Sequence, residues 1–167
     1  LDEAGLRKVV LSLPSLLSAS VEDNMALKLE WLQKRLDLND VQLRKVMGGC
    51  TSVLSTSIDV LESKLGWLQI RLDLDDAGLR KIVLTLPQLL GLSVEDNVAP
   101  KLDWLQTRFD LDDVQLRKMV LTLPSLFNYS VEANLAPKLE WLQTRLDLDD
   151  AGLRKIVLAL PQLLSMS

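Results

Sequence analysis

Between positions 76 and 86 the apolar residues are Leu79, Ile82, Val83 and Leu86, the i, i+3, i+4, i+7 spacing of one helical face. Arg80, Lys81 and Thr85 lie toward the other side. Asp75 is placed to cap this helix, and acidic residues in a first turn also suit the positive end of the helix dipole. Pro87 has no N–H with which to continue and restricts the residue before it, so the helix is predicted to end near Leu86. Gln88-Leu89-Leu90 is too short for a helix of its own and predicts a tight 3₁₀ turn that drops two leucines into a core. Ser93 then caps a second helical stretch, with Pro100 a few residues later. Either Ser93 opens a single turn and Pro100 takes the favoured first position of the main helix, or one longer helix is kinked there; the first is preferred. The main helix runs to Phe109 with Val98, Leu102, Leu105 and Phe109 on one face. Trp104 flanks that stripe and is expected to be buried, sealing it against the next unit.

The same pattern recurs. Leu-Arg-Lys begins at Leu6, Leu43, Leu79, Leu116 and Leu153, and Trp-Leu-Gln at Trp31, Trp67, Trp104 and Trp141, at intervals of 36 or 37 residues. Aligning Leu79–Asp113 on Leu116–Asp150 leaves nine differences in 35 positions, mostly apolar for apolar or small polar for small polar. A fixed period of this length predicts a stacked array, an all-α solenoid of tandem helical repeats. The whole chain, residues 1–167, reads as a single array with repeats at 2–38, 39–74, 75–111, 112–148 and a partial 149–167. Both ends fall inside a repeat, so a segment of a longer array is expected, with any targeting peptide removed or outside this stretch.

The second repeat departs from the pattern. Gly48-Gly49 stands inside its first helix, Thr51 replaces the first proline, Ser63 replaces the second, and one residue is missing. Two glycines within a helix cost roughly 1 kcal/mol each relative to alanine. The softest joint of the array is therefore expected at residues 46–57; the alternative is that the glycines admit a close backbone approach by a neighbour.

Composition changes this picture little. With 48% hydrophobic and 25% charged residues the chain has the make-up of one that folds, and its aliphatic core carries few aromatics. The lone Cys50 forbids an internal disulfide and is expected to be a small buried residue. Charged residues interrupt every apolar run, so no membrane span is predicted. A net charge of −4 argues against a strongly basic nucleic-acid binder.

Three motifs in combination point further: Leu-Arg-Lys-(Ile/Val/Met)-Val-Leu, Leu-Pro-(Gln/Ser)-Leu, and Ser-Val-Glu-(Asp/Ala)-Asn-(Val/Leu)-Ala-Pro-Lys-Leu-(Asp/Glu)-Trp-Leu. Together they resemble the repeat of the mitochondrial transcription termination factor family, over essentially the whole chain. The resemblance implies a solenoid of two-helix repeats, each with a short 3₁₀ element. It also implies a nuclear-encoded protein of mitochondrion or chloroplast that binds DNA or RNA and acts in transcription, RNA processing or ribosome assembly. Leu27 stands where the second proline belongs in the first repeat, and the second repeat departs throughout, so binding roles there are carried over less directly.

The basic residues fall into columns, Lys34 alone excepted. One column is the Arg-Lys pairs Arg7-Lys8, Arg44-Lys45, Arg80-Lys81, Arg117-Lys118 and Arg154-Lys155; a second is Lys28, Lys64, Lys101 and Lys138; a third is Arg35, Arg71, Arg108 and Arg145. Equivalent residues of a solenoid line up, so each column could track a phosphate backbone of double-stranded DNA or of RNA. The candidate nucleic-acid contacts are the five Arg-Lys pairs with Lys101, Lys138, Arg108 and Arg145. The competing view is structural: basic stems cover apolar stripes, and Arg108 stacks on Trp104 one turn away. A curved acidic scaffold for a protein partner in an organellar complex, or a consensus-like designed array, fits the same columns, with Leu84, Leu121 and Leu158 as candidate exposed apolar contacts. The chain has no His, one lone Cys and no phosphate-cradling glycine loop, so no enzyme, cofactor or metal site is predicted. The Leu-Asp-Leu-Asp-Asp segments lack the glycine and terminal glutamate of a calcium loop and are assigned to helix capping.

Overall fold

A computed structural model describes residues 20–165, and Arg7 and Lys8 lie outside them. The fold is an all-α solenoid of tandem repeats of about 37 residues, each built from a short first helix, a 3₁₀ turn and a longer second helix. Among the described residues the α-helices are α1 (Ser20–Arg35), α2 (Asp40–Gly49), α3 (Ile58–Leu72), α4 (Asp76–Thr85), α5 (Ala99–Phe109), α6 (Asp113–Thr122), α7 (Ala136–Leu146) and α8 (Asp150–Ala159).

Each first helix starts where the sequence places a capping side chain. Asp75 accepts from Gly78 N at 2.7 Å, Asp112 from Gln115 N at 2.7 Å and Asp149 from Gly152 N at 2.7 Å. Asn39 accepts from Gln42 N, and at Asn39 and Asp112 the glutamine three residues on returns the bond to the cap's own N–H. This is the capping the Leu-Asp-Leu-Asp-Asp segments were assigned to. α4, α6 and α8 each stop two residues before a proline, and Pro87, Pro124 and Pro161 open the 3₁₀ turns Pro87–Gly91, Pro124–Asn128 and Pro161–Ser165.

The second proline does more than start a helix. Ser93 caps a single turn as expected, but the turn, Val94–Val98, is of π type, and α5 follows without a break with Pro100 in its second position. Val98 N bonds to Ser93 O at 3.1 Å, a wide i to i−5 link. The same arrangement, Val131–Leu135, precedes Pro137 and α7. Proline can neither donate to the carbonyl four residues back nor make room for it, and the wider turn relieves both problems. Where Leu27 and Ser63 replace it, α1 and α3 are regular α-helices through the equivalent position. The first repeat is regular at full length, whereas the second is one residue shorter between Ser57 and Lys64.

Each second helix ends at an aspartate in the left-handed region: Asp37 at φ 48°, Asp73 at 47°, Asp110 at 46° and Asp147 at 50°. The N–H that follows the aspartate bonds five residues back, as in Leu38 N to Gln33 O at 2.9 Å and Leu111 N to Gln106 O at 3.0 Å. Aspartate is among the few side chains that tolerate this conformation, so the first Asp of the segment is a helix stop and the second a helix start.

The chain divides into two compact units, one comprising Asp75–Gly91 with the residues up to Ile70, the other Arg71–Leu74 with the residues from Leu92 on. In the first, α2 lies against α1, α4 and the Pro87–Gly91 turn. Leu32, Leu43, Val46, Leu61, Leu65, Leu68, Leu79, Ile82 and Leu89 are buried there. In the second, α5 meets α6 and α7 meets α8 over Leu102, Leu105, Phe109, Leu116, Val120, Leu126, Phe127 and Leu139.

Two expectations need correction. Gly48 and Gly49 do not interrupt the first helix of their repeat: α2 is ten residues long, like α4, and ends with the pair. A Cβ on Gly49 would stand 2.8 Å from the Pro87 ring, so the close approach held as the alternative is what the structure contains. Trp104 is half-buried, not sealed away: its ring meets Phe109 edge-on at 6.4 Å, while Phe109 itself is fully buried. The apolar stripe is closed by Leu and Phe, and the tryptophans lie at its margin. Cys50 is buried and unbridged, with Sγ 3.2 Å from Ser52 Oγ.

Candidate nucleic-acid interface

The three basic columns occupy three different environments. The lysine column points inward. Lys28 Nζ donates to Leu54 O, Lys64 Nζ to Leu90 O and Lys101 Nζ to Phe127 O, each at 2.6 Å, and Lys138 Nζ to Leu164 O at 3.1 Å. Each acceptor is a carbonyl in the 3₁₀ turn of the following repeat, a group that the short turn leaves without a backbone donor. Burial holds the Lys28 and Lys101 ammonium groups below the ordinary lysine range, with Glu132 opposing the effect at Lys101. Lys101 is buried and Lys138 half-buried. Placing Lys101 as a phosphate contact therefore meets an obstacle that spacing did not disclose: its charge is committed to the next repeat.

The second-helix arginines form clamps between successive repeats. Arg35 Nε donates to the Glu62 carboxylate at 2.9 Å and Nη2 to Gln69 Oε1 at 2.6 Å. Arg71 Nη2 reaches Asp103 at 2.9 Å and Gln106 at 2.7 Å, and Arg108 reaches Asp150 at 2.9 Å and Gln143 at 2.8 Å. The glutamine of each Trp-Leu-Gln in turn donates to the aspartate opening the next first helix, as Gln106 does to Asp113 at 3.1 Å and Gln143 to Asp150 at 2.9 Å. Bonds from Arg108 and Gln143 hold the Asp150 carboxyl below its ordinary range. Arg108 lies over the Phe109 ring at 5.8 Å instead of stacking on Trp104, because its planar group must also meet Gln143 and Asp150. Arg145 is exposed and makes no ion pair among the described residues.

The Arg-Lys pairs divide between their two members. Arg80 pairs with Asp37 at 2.9 Å, Arg117 donates to Asp73 through both its carboxylate and its carbonyl, and Arg154 donates to Phe109 O at 2.6 Å and Asp110 O at 2.9 Å. These arginines cap the left-handed ends of second helices, where orphan carbonyls and the negative dipole end favour a cation. Lys81, Lys118 and Lys155, one residue along, are exposed and carry no ion pair among the described residues. Arg44 and Lys45 are exposed as well. Arg7 and Lys8 lie outside the described residues.

Leu84, Leu121 and Leu158 are half-buried, so they do not form the apolar surface expected of them. The most exposed aliphatics described are Ile70 and Val41. The glutamines were missed as linkers; their signal was the unbroken Trp-Leu-Gln triplet itself. Among the described residues no group of His, Cys, Asp or Glu is arranged to hold a metal ion, and no helix is long and apolar enough to cross a membrane.

The family model mTERF matches residues 1–112 and again residues 106–167, so that the two matches together span the sequence. No curated protein matches the chain.

Proposed function

Because the chain belongs to the mTERF family of organellar nucleic-acid-binding repeat proteins, we propose that it is a non-catalytic binder of double-stranded DNA or RNA in mitochondrial or chloroplast gene expression. It holds the phosphate backbone chiefly through the outward lysine of each Arg-Lys pair. One observation carries this assignment. At Arg80-Lys81, Arg117-Lys118 and Arg154-Lys155 the arginine is bound into the fold, while the adjacent lysine is left in solvent with no ion pair among the described residues. Lys81, with Arg44 and Lys45, serves the first unit, and Lys118 and Lys155 serve the second. Arg80, Arg117 and Arg154 act by shaping the surface that presents them. A lysine offers a point charge with no base code, so recognition is of backbone and not of sequence.

The test is fluorescence anisotropy with labelled duplex DNA and with single-stranded RNA, across a salt series. Replacing Lys81, Lys118 and Lys155 by Gln removes none of the hydrogen bonds or ion pairs described above. The log–log salt slope is expected to fall in magnitude by about 0.9 for each lysine that meets a duplex phosphate. Unchanged affinity and slope would remove the lysines from the interface. Absence of binding to either probe at low salt would turn the search to a protein partner in an organellar complex.

A further inference from the structure

Between the third and fourth repeats, wholly within the second unit, lies a groove of about 500 Å³ that none of the outward lysines lines. One wall is the Val94–Val98 turn and α5, which bring Asn97, Lys101 and Trp104; the other runs from Phe127 through Tyr129 to Glu132. Its size is that of a small-molecule site, and its lining combines aromatic surface with a few polar groups.

Those polar groups are of opposite sign and stand apart. Lys101 is 6% exposed, and its Nζ donates to Phe127 O at 2.6 Å and to Asn97 Oδ1 at 3.3 Å, which uses two of its three N–H groups. Glu132 is exposed, and its own N–H and Ser130 hold its carboxyl below the ordinary range, so at neutral pH it only accepts. The two charges influence each other but form no ion pair among the described residues. Trp104 is half-buried beside them, and an indole is a surface on which a base stacks.

A donor and an acceptor-only group that do not touch, next to an indole, select a planar ring whose edge carries an acceptor followed by donors. Among the bases guanine has that edge: O6 accepts, and N1–H and N2–H₂ donate side by side. Adenine and cytosine offer a carboxylate one donor group, and uracil offers one N–H flanked by two acceptors. We propose that this groove binds an unpaired guanine base, with Glu132 accepting from N1–H and N2–H₂, Lys101 donating its third N–H to O6, and Trp104 stacking on the ring. Pairing would occupy the same edge, so the base belongs to a single strand or to a free guanine nucleotide. The site reads one base where the outward lysines read none, and it stands whether or not those lysines meet phosphate.

Isothermal titration of the 167-residue chain with guanosine, adenosine, cytidine and uridine tests this. Guanosine is expected to bind about tenfold or more tightly than the other three. Glu132→Gln, at an exposed side chain, and Trp104→Ala are each expected to weaken guanosine binding about tenfold, with circular dichroism confirming their helix content. Glu95→Gln, an exposed acid outside the groove, is expected to leave it unchanged. Guanosine that does not bind, that binds no better than the other nucleosides, or that binds Glu132→Gln as it binds the parent overturns the proposal. Replacing Lys81, Lys118 and Lys155 by Gln is expected to leave guanosine binding as it was; its loss there would place the base at the lysines and overturn the groove. Fluorescence anisotropy with labelled oligouridine carrying one guanine, competed by guanosine monophosphate, identifies the source. The oligonucleotide binds more tightly if the base comes from a strand, and the mononucleotide binds at least as tightly if it comes from a free nucleotide.

Discussion

At the scale of single residues, chemically identical neighbours have opposite surroundings. Gly48 has nothing within 4 Å of where a Cβ would stand, whereas Gly49 would place one 2.8 Å from the Pro87 ring. Gly48→Ala is expected to raise stability by about 0.5–1 kcal/mol, the helical preference of alanine over glycine. Gly49→Ala is expected to lower it by about 1–3 kcal/mol, as overpacking does. Urea melts of the two variants check both, and equal shifts would mean that the close approach to Pro87 is not made. The same contrast governs the basic residues. Spacing in the sequence found every column, because equivalent positions recur. It could not divide Arg80 from Lys81, since the atoms that claim an arginine lie 35 to 45 residues away, at Gln143 for Arg108 or Phe109 for Arg154.

At the scale of the element, what the sequence announced locally is what the helices do. Ser, Asp and Asn open them, proline closes the first of each pair, and apolar spacing marks the buried face. The π turn was not legible, because the pattern of Ser-Val-Glu followed by Ala-Pro is equally compatible with a kinked α-helix. Only the hydrogen-bond register tells them apart. If proline causes the wide turn, Pro100→Ala should let residues 94–98 revert to α register, as in α1, where Leu27 holds that position in a repeat of the same length. Stability is then expected to rise by no more than about 1 kcal/mol, well below the ~3 kcal/mol that proline costs in a regular helix interior, since the π turn has already relieved most of that conflict. A crystal structure of the variant that keeps the Val98 N to Ser93 O bond would show that the turn has another cause.

At the scale of the whole molecule, the interfaces between repeats carry titratable groups of both signs. Arg108 and Gln143 hold Asp150 below the usual carboxyl range, and Glu132 is held low by its own N–H and by Ser130. The unfolded chain binds protons more readily at these groups, so their contribution is present above the ordinary carboxyl range and is lost as pH falls through the folded values. Lys28 and Lys101 are held below the ordinary 10.5 by burial. There too the unfolded chain binds more protons, so stability gains from these lysines as pH rises from their folded values toward 10.5. Melting temperatures at pH 7 to 10 are expected to show that upward trend, and Lys28→Met with Lys101→Met should flatten it. An unaltered trend in the double variant would assign it to other groups.

The π turn also bears on how such a chain can change length. An α-helix advances about 100° per residue, so losing one position elsewhere in a helix turns everything after it out of phase with its neighbours. At the entry to the second helix the count varies without that penalty: the first repeat keeps the position in a regular α-helix, the third and fourth keep it in a π turn, and the second lacks it. The second repeat has used this freedom: its Lys64 still reaches Leu90, 26 residues on, as Lys28 reaches Leu54 and Lys101 reaches Phe127. The joint is a slack link in an otherwise rigid count, where a residue is present or absent while the lysine beyond it keeps its carbonyl.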